Sequence, residues 1–441
     1  MRILTILLFS CLGINLVYAD TLIEVIQHTL ETNPDVRMST SDRRIADHTL
    51  EQAQAGYFPT IDLTGGYGRE WSDNPSTRIR QFETSEVELN RQELGITLSQ
   101  RLFDGFEVKH QVAGEQAKQE ASIYQVQNIA ENIGLKVTEV YLEVLHREDL
   151  LELAKSNLVV HQKILKQIRT IVEGGAGRKA DLEQSESRLA LAKATLVKAE
   201  GNKRDAAANY QRVTGKLPDT LDTLGRELVI QALQLPDTLT AVLQTALTDH
   251  PSLRMSTADL KAAKAYRQQA DASFMPRLNL ELNASDNNNL DGIEGTNDDV
   301  SAMLRMRYNL YRGGADQAHR RETAERVTRA TEAFLRAQRI VEETVHLSWN
   351  SLVTARERLQ YLRDYVESTE HVLVSYKEQF KLGRRSLLDV LDSENELFNA
   401  RSVLTTAQYT ELLALFRVVA SMGLLLERLG IPLPKEAVSR Q

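Results

Sequence analysis

The sequence predicts a mainly helical fold built twice from one unit, each unit carrying a long antiparallel coiled-coil hairpin and a pair of β-strands. Three observations predict it. The first is a heptad on both sides of a short turn. Val345, Leu352, Leu359, Val366, Leu373 and Phe380 are apolar at strict seven-residue spacing, the stretch 381–388 interrupts, and Val390, Leu397 and Leu404 resume the rhythm. A seam that reverses at a Gly-containing turn is the pattern of a coiled-coil hairpin. The second is that the same object occurs 208 residues earlier, where Val137, Val144, Leu151, Leu158, Leu165 and Val172 lead into Gly174-Gly-Ala-Gly177 and Leu182, Leu189 and Leu196 follow. The third is proline. Only nine occur in 441 residues, none between Pro75 and Pro218 and none between Pro276 and Pro432. An interior proline costs a helix about 3 kcal/mol, so those gaps leave room for uninterrupted helices.

Residues 1–19 read as a secretory signal: Arg2, an apolar core from Ile3 to Phe9 and Leu12 to Val17, and a small-residue site at Val17-Tyr18-Ala19. The only cysteine, Cys11, lies inside it, and Phe9 is bulky for a lipoprotein signal. Cleavage after Ala19 leaves a chain with no cysteine and hence no disulfide. Loss of Arg2 takes the formal charge from −8 to −8 − 1 = −9, which argues against a nucleic-acid partner. No later stretch approaches the ~20 apolar residues of a transmembrane helix. An exported chain without such an anchor is free in the periplasm or outside, or spans an outer membrane as β-structure.

In chain order, the first repeat covers 20–215. An amphipathic helix from Thr21 to Thr32 stops at Asn33-Pro34, and a second helix runs to about Tyr57. Past Pro59 the period changes. Ile61, Leu63, Gly65 and Tyr67 alternate with polar residues, predicting a strand over 59–68. A polar stretch reaches to about Arg91, and Leu94, Ile96 and Leu98 predict a second strand over 92–102, ending at Phe103-Asp104-Gly105. From Phe106 to Val172 the pattern is helical for 67 residues, or roughly 100 Å at 1.5 Å per residue. That helix is too charged for lipid and too long for a globular domain, so it must cross a broad aqueous space. A tip at 173–180 and a return helix to about Thr214 close the unit.

A linker over 216–236 separates it from a second repeat over 237–430, and a short tail, 431–441, ends the chain. Leu239 to Thr257 align without a gap on Leu22 to Thr40 at an offset of 217, Pro251 falling on Pro34 and Arg254-Met-Ser-Thr257 on Arg37-Met-Ser-Thr40. Strands are predicted over 276–284 and 300–310, and the tip over 381–388. The loop between these strands is nine residues shorter than its counterpart, which accounts for the fall in offset from 217 to 208. Two strands per half, four per chain, fall short of the eight that a small membrane barrel needs. If these strands span a membrane, several chains must share one barrel.

At this point the residues resemble a known family. Asn33-Pro34 with His250-Pro251, Tyr57-Phe58-Pro59-Thr60 with Phe274-Met275-Pro276, Leu102-Phe103-Asp104-Gly105, and above all Leu382-Gly-Arg-Arg-Ser-Leu-Leu-Asp-Val-Leu-Asp392 are similar to signature segments of the TolC family of outer-membrane export channels. The resemblance runs from Thr21 to about Leu429. It implies a homotrimer in which a β-barrel in outer-membrane lipid continues into a long periplasmic α-barrel. It also implies docking to a periplasmic adaptor (membrane fusion protein) and an inner-membrane pump such as an ABC transporter. Asp389 and Asp392 fall where the family carries the carboxylates of the periplasmic aperture, a ring expected to bind multivalent cations. The expected function is the exit duct of a type I protein secretion machine, or alternatively of a small-molecule efflux pump.

From the residues alone, Asp389 and Asp392 share a helical face, and a dipole-compensating first turn in a solvated hairpin accounts for them better than a pore ring, which only the resemblance favours. Ser386 is placed to cap that helix. Gly175 with Arg178, and Gly383 with Arg385, are expected to sit in exposed turns where an adaptor seats. Arg305 and Arg307 alternate with apolar residues and are expected to face a lumen, or to balance the acidic loop residues Asp286, Asp291, Glu294, Asp298 and Asp299. Gly174-Gly-Ala-Gly177 lacks the preceding strand of a phosphate loop. The nine histidines, His146 and His161 among them, show no metal spacing. With no nucleophile motif, neither an enzyme nor a cofactor is expected. A periplasmic adaptor normally has one hairpin flanked by β-domains. A purely structural coiled coil has no need of Pro-bounded strands at matching places in both halves.

Overall fold

The computed structural model describes residues 21–80, 86–175, 177–223, 231 and 233–438. The signal segment expected over 1–19, and parts of the expected linker and tail, lie outside the described residues. Contacts divide the chain into two compact units that cut across the sequence repeat. One takes Thr40–Gln125 with Ser252–Gln338, the other the described residues up to Ser39 with Val126–Pro251 and Arg339–Val438.

The described residues begin with α1 (Leu22–Thr32), opened by a Thr21–Glu24 capping box, and α2 (Pro34–Ala55). The first unit then holds a four-stranded antiparallel sheet in the order β1 (Thr60–Ser72), β2 (Val87–Phe103), β3 (Arg277–Asn288) and β4 (Thr296–Arg307). The ladders run further into the polar stretches than alternation predicts. β1 continues to Ser72 and β2 begins at Val87, with a short helix α3 (Pro75–Arg80) between them, capped by Asn74. Antiparallel pairing satisfies the backbone whatever the side chains are, so hydrophilic rungs such as Asn287 opposite Asn297 extend the sheet. β4 conversely stops at Arg307, three residues short of Leu310.

The register makes the sheet two-faced. Ile61, Leu98, Leu282 and Ala302 form one cross-strand row, and Leu63, Ile96, Ala284 and Val300 the next on the same face. The opposite face carries Asp62, Thr97, Asn283 and Ser301, then Thr64, Gly95, Ser285 and Asp299. Among the described residues, both outer strands, β1 and β4, have a neighbour on one side only.

At the end of β2, Leu102-Phe103-Asp104-Gly105 is a strand-to-helix junction. Gly105 adopts φ +72°, and a Cβ there would lie 2.6 Å from Met275 Cβ, so close approach and backbone sign both demand glycine. The Asp104 carboxylate accepts from the Glu107 and Val108 N–H groups at 3.1 and 2.9 Å, capping the helix that follows. That helix, α4 (Glu107–Glu173), is 67 residues long. The hairpin helix α5 (Lys179–Thr214) returns from its far end, and α6 (Leu239–Asp249) and α7 (Pro251–Ala270) open the second repeat. The start of α4 is aligned on α7 by Lys118–Asp259 and Lys261–Glu120 ion pairs at 2.8 and 2.9 Å, and by the Tyr266 hydroxyl donating to Glu115 at 2.8 Å.

The other unit contains both hairpins: the far part of α4 with α5, and the far part of α8 (Ala315–Lys381) with α9 (Leu387–Ser421). Helix α6 and the short α10 (Leu425–Arg428) complete it. The heptad positions Val137, Val144, Val345, Leu352, Leu359 and Leu373 are buried, each contributing about 1.5–3 kcal/mol of apolar burial. Among the described residues no helix is long and apolar enough to cross a membrane. Tyr141, fully buried, donates to the Asp222 carbonyl at 2.7 Å. Glu131 accepts the Leu425 and Leu426 N–H groups at 2.8 and 3.1 Å, holding the C-terminal segment on α4. Burial pushes that carboxyl up to about 7, against the pull of the two N–H groups.

Candidate gate and docking tips

The α8–α9 turn is built by local rules. Gly383 takes φ +70° and its N–H reaches the Phe380 carbonyl at 2.9 Å, while the Arg384 N–H reaches the Gln379 carbonyl at 2.9 Å. This pair of bonds closes a helix end on a left-handed glycine. Gly175 ends α4 in a similar way, with φ +77° and a 3.0 Å bond to the Val172 carbonyl. Ser386 and Asp389 form a reciprocal capping box: the Asp389 N–H donates to Ser386 Oγ at 3.2 Å, and the Ser386 N–H to Asp389 Oδ2 at 3.3 Å. At the first tip Arg178 occupies the cap position with no side-chain cap bond.

Gly175 and Gly383 are exposed, and Arg178 stands at the mouth of the first turn. Arg385 differs from the expectation of an exposed turn. Its guanidinium lies 3.9 Å from the Tyr376 ring centre and 3.8 Å from Asp389, half-buried against its own hairpin. A planar cation stacks favourably on an aromatic face, and the exposed side chains at this tip include Leu382 and Arg384 instead.

Asp389 and Asp392 come together on one concave face of about 490 Å³, shared with Tyr365, Tyr376 and Glu396. The two carboxylates have different partners. Asp389 belongs to the cap, whereas Asp392 accepts from Arg188 of α5 at 2.7 Å, across to the other hairpin. Beside that pair, Leu391 packs on Ile164 and Ile168 of α4, with Val160, Val172, Leu182 and Leu387 around them. Leu373, Val390 and Leu397 form the separate seam within the second hairpin. His161 is buried on the same stretch of α4, its Nδ1 without a partner among the described residues, and burial lowers its pKa.

Leu391 as an inter-hairpin contact and Arg188 escape the sequence reading because their partners are some 200 residues away, whereas His161 stands near the helix seam in the sequence and is buried there. A signal existed for one of them. At the offset of 208, Leu391 matches Glu183 and Leu387 matches Lys179, so the second hairpin gains apolar residues where the first is charged and exposed.

In the sheet, Arg305 pairs with Glu281 of the adjacent strand at 2.8 Å rather than with an acidic loop residue. Arg307 stands opposite Arg277, which turns to Glu107 at 2.8 Å. Both Arg305 and Arg307 lie on the hydrophilic face.

A family model described as outer membrane efflux protein matches residues 25–216 and 242–424. The chain is 26% identical over 409 residues to the outer membrane efflux protein BepC of Brucella suis, covering 92% of this chain and 86% of the relative. It is 23% identical to the alkaline protease secretion protein AprF of Pseudomonas aeruginosa, with 90% and 83% covered. A solved structure of CusC superposes with a TM-score of 0.79 at 20% identity, covering 93% of this chain and 92% of that one. The duplicated match, spanning both hairpins and all four strands, assigns the chain to the outer membrane efflux protein family.

Proposed function

We propose that three copies of this chain form an outer-membrane exit duct, in which the sheets close into one barrel of 3 × 4 = 12 strands and the hairpins form a periplasmic tunnel. The observation that carries this reading is the sheet itself: one apolar face, one hydrophilic face and two open edges. Unpaired backbone edges cost several kcal/mol per group in lipid, and pairing β1 with β4 of a neighbour removes them. Arg305 and Arg307 then line the lumen.

Asp389 and Asp392 form the periplasmic gate, and the tips around Gly175, Arg178, Gly383 and Arg385 receive a periplasmic adaptor that links the duct to an inner-membrane pump. Protein is the first cargo reading, which makes the pump an ABC transporter of the type I kind; AprF, named for protease secretion, supports it. Small-molecule efflux is the second, supported by the name of BepC. Cysteines introduced in pairs along β1 and β4 should cross-link into trimers in outer-membrane fractions. A conducting monomer would overturn the reading. Loss of a secreted protein from the medium of a deletion strain, against accumulation of a small toxic compound inside it, separates the two cargoes.

A further inference from the structure

We infer that the groove between α8 and α9 binds a linear aliphatic diamine, Asp392 and Glu396 each taking one ammonium group and Ser393 a further N–H. Binding rests on the fold of the second hairpin alone; any effect on an export duct rests on the function proposed above.

The two walls of this groove differ in character. Helix α8 contributes Tyr365, Val372 and Tyr376, and α9 contributes Asp392, Ser393 and Glu396. The carboxylates are only partly used. Asp392 accepts from Arg188 through one oxygen, Oδ1, and Glu396 accepts from the Tyr365 hydroxyl through Oε1. A carboxylate has about four lone-pair sites on its two oxygens, and the second oxygen of each is without a partner among the described residues. Ser393 is the sharper sign. It is 7% exposed, and its Oγ has no partner among the described residues. A helical serine has the carbonyl four residues back within reach, and Ser185, the counterpart one repeat earlier, donates to the Asp181 carbonyl at 2.8 Å. A buried hydroxyl left unbonded is costly, and one on the wall of a groove is accounted for by a ligand that supplies the bond. Asp389 stays outside the site, because its Oδ2 is already shared by Ser386 and Arg385.

Spacing selects the ligand. Asp392 and Glu396 are four residues apart on one helix, or about 6 Å along its axis, the distance that four methylenes put between two ammonium groups. Val372 on the facing wall, 44% exposed, gives those methylenes an apolar surface. The same spacing disfavours a single metal ion, whose oxygen ligands must converge to about 2.0–2.6 Å from one centre. Elsewhere in the groove a cation is already held by the same chemistry, the Arg385 guanidinium lying 3.9 Å from the Tyr376 ring centre. Duplication supplies a control. At the offset of 208 the first hairpin has Asn157, Gln184 and Arg188 where the second has Tyr365, Asp392 and Glu396, so this face is not a general property of the coiled coil. An ammonium group at Asp392 competes with Arg188, and in the proposed gate the diamine would therefore loosen one contact between the hairpins.

The test is isothermal titration of the purified full-length protein in detergent at low salt and about pH 6, where the carboxylates are ionised. 1,4-Diaminobutane should occupy one site per chain. 1,2-Diaminoethane, doubly charged at that pH but too short to reach both carboxylates, should bind about fivefold more weakly, as one exposed ion pair is lost. Glu396→Gln, a change at an exposed helical position, should weaken 1,4-diaminobutane by the same factor, and Ser393→Ala by about threefold. Magnesium titrated into Glu396→Gln should bind as it does to the wild type, which separates the groove from the Asp389 and Asp392 ring. Equal affinity for the two diamines, a measurement that needs no variant, would overturn the site, and so would unchanged affinity in Glu396→Gln. One diamine per three chains would place binding on a shared axis and overturn it equally. Chain number is measured on the same samples: one diamine per chain in a protein that forms no trimer upholds the groove while removing the duct.

Discussion

If the gate opens by swinging the second hairpin away from the first, its resting state depends on the contact around Leu391, and the apolar part of that contact should dominate. Leu391 is 2% exposed, against Ile164 and Ile168. Truncating such a leucine to alanine costs about 2–5 kcal/mol. The neighbouring Arg188–Asp392 pair has side chains 30% and 56% exposed, which places it among ion pairs worth about 0.2–1 kcal/mol. Taking ~3 kcal/mol against ~0.5 kcal/mol, Leu391→Ala should shift the closed-to-open ratio by roughly 150-fold per chain and Arg188→Gln by about 2-fold. Single-channel recording in planar bilayers reads this as the fraction of time open without adaptor. Leu391→Met, which conserves volume, should stay near wild type. An open fraction raised as much by Arg188→Gln as by Leu391→Ala would refute the reasoning, because the hairpins would then be held by charge.

Three further outcomes are expected. His161 is buried with its pKa lowered, chiefly by burial, with Glu394 of α9 favouring its proton and Arg188 of α5 opposing it; Lys377 of α8 faces Glu394 at 2.6 Å. Separated hairpins would return it towards ~6.5, so the closed state is at full strength above that pH and weakens as pH falls below it. The open fraction should rise between about pH 7.5 and about pH 5.5, and His161→Gln should flatten the rise; an unchanged slope rules His161 out. Asp389→Asn with Asp392→Asn should lower cation selectivity and abolish block by multivalent cations while trimers still form, and retention of both properties would leave the residues as helix cap and hairpin contact. Gly383→Val puts a β-branched residue at φ +70°, at a cost of about 1–2 kcal/mol. Export should fail with trimers intact, and wild-type export would remove the tip as docking site.

Much of this architecture is legible in the sequence because it is decided by periodicity and by a few backbone-forcing residues. The heptads locate the hairpin seams, and Gly383, Ser386 and Asp389 write out the second tip almost bond by bond, since a left-handed glycine and a capping box act over a few neighbouring residues. The strand ends are less legible. Alternation reports which face is apolar, not where pairing stops, so Val87 to Arg91 and rungs such as Asn287 join a ladder that their polarity hides. The contacts between hairpins are the least legible, since Arg188 and Asp392 are 204 residues apart and nothing local selects one among many exposed charges.

Duplication nevertheless narrows the search. Two copies of a hairpin that served the same role would diverge without pattern at their exposed positions. Here Leu387 and Leu391 replace Lys179 and Glu183 on consecutive turns of one helical face, while Val390 and Leu182, the positions of the internal seam, stay apolar in both. Lys179 and Glu183 remain at the surface as an i,i+4 pair at 3.6 Å, whereas Leu387 and Leu391 are packed against the first hairpin. The substitution of an apolar pair for a solvated ion pair turns a free-standing hairpin into one that adheres to its neighbour. In the proposed gate, that asymmetry would let the first hairpin stay fixed while the second is held to it through the Leu391 cluster, the contact a docking partner would have to release.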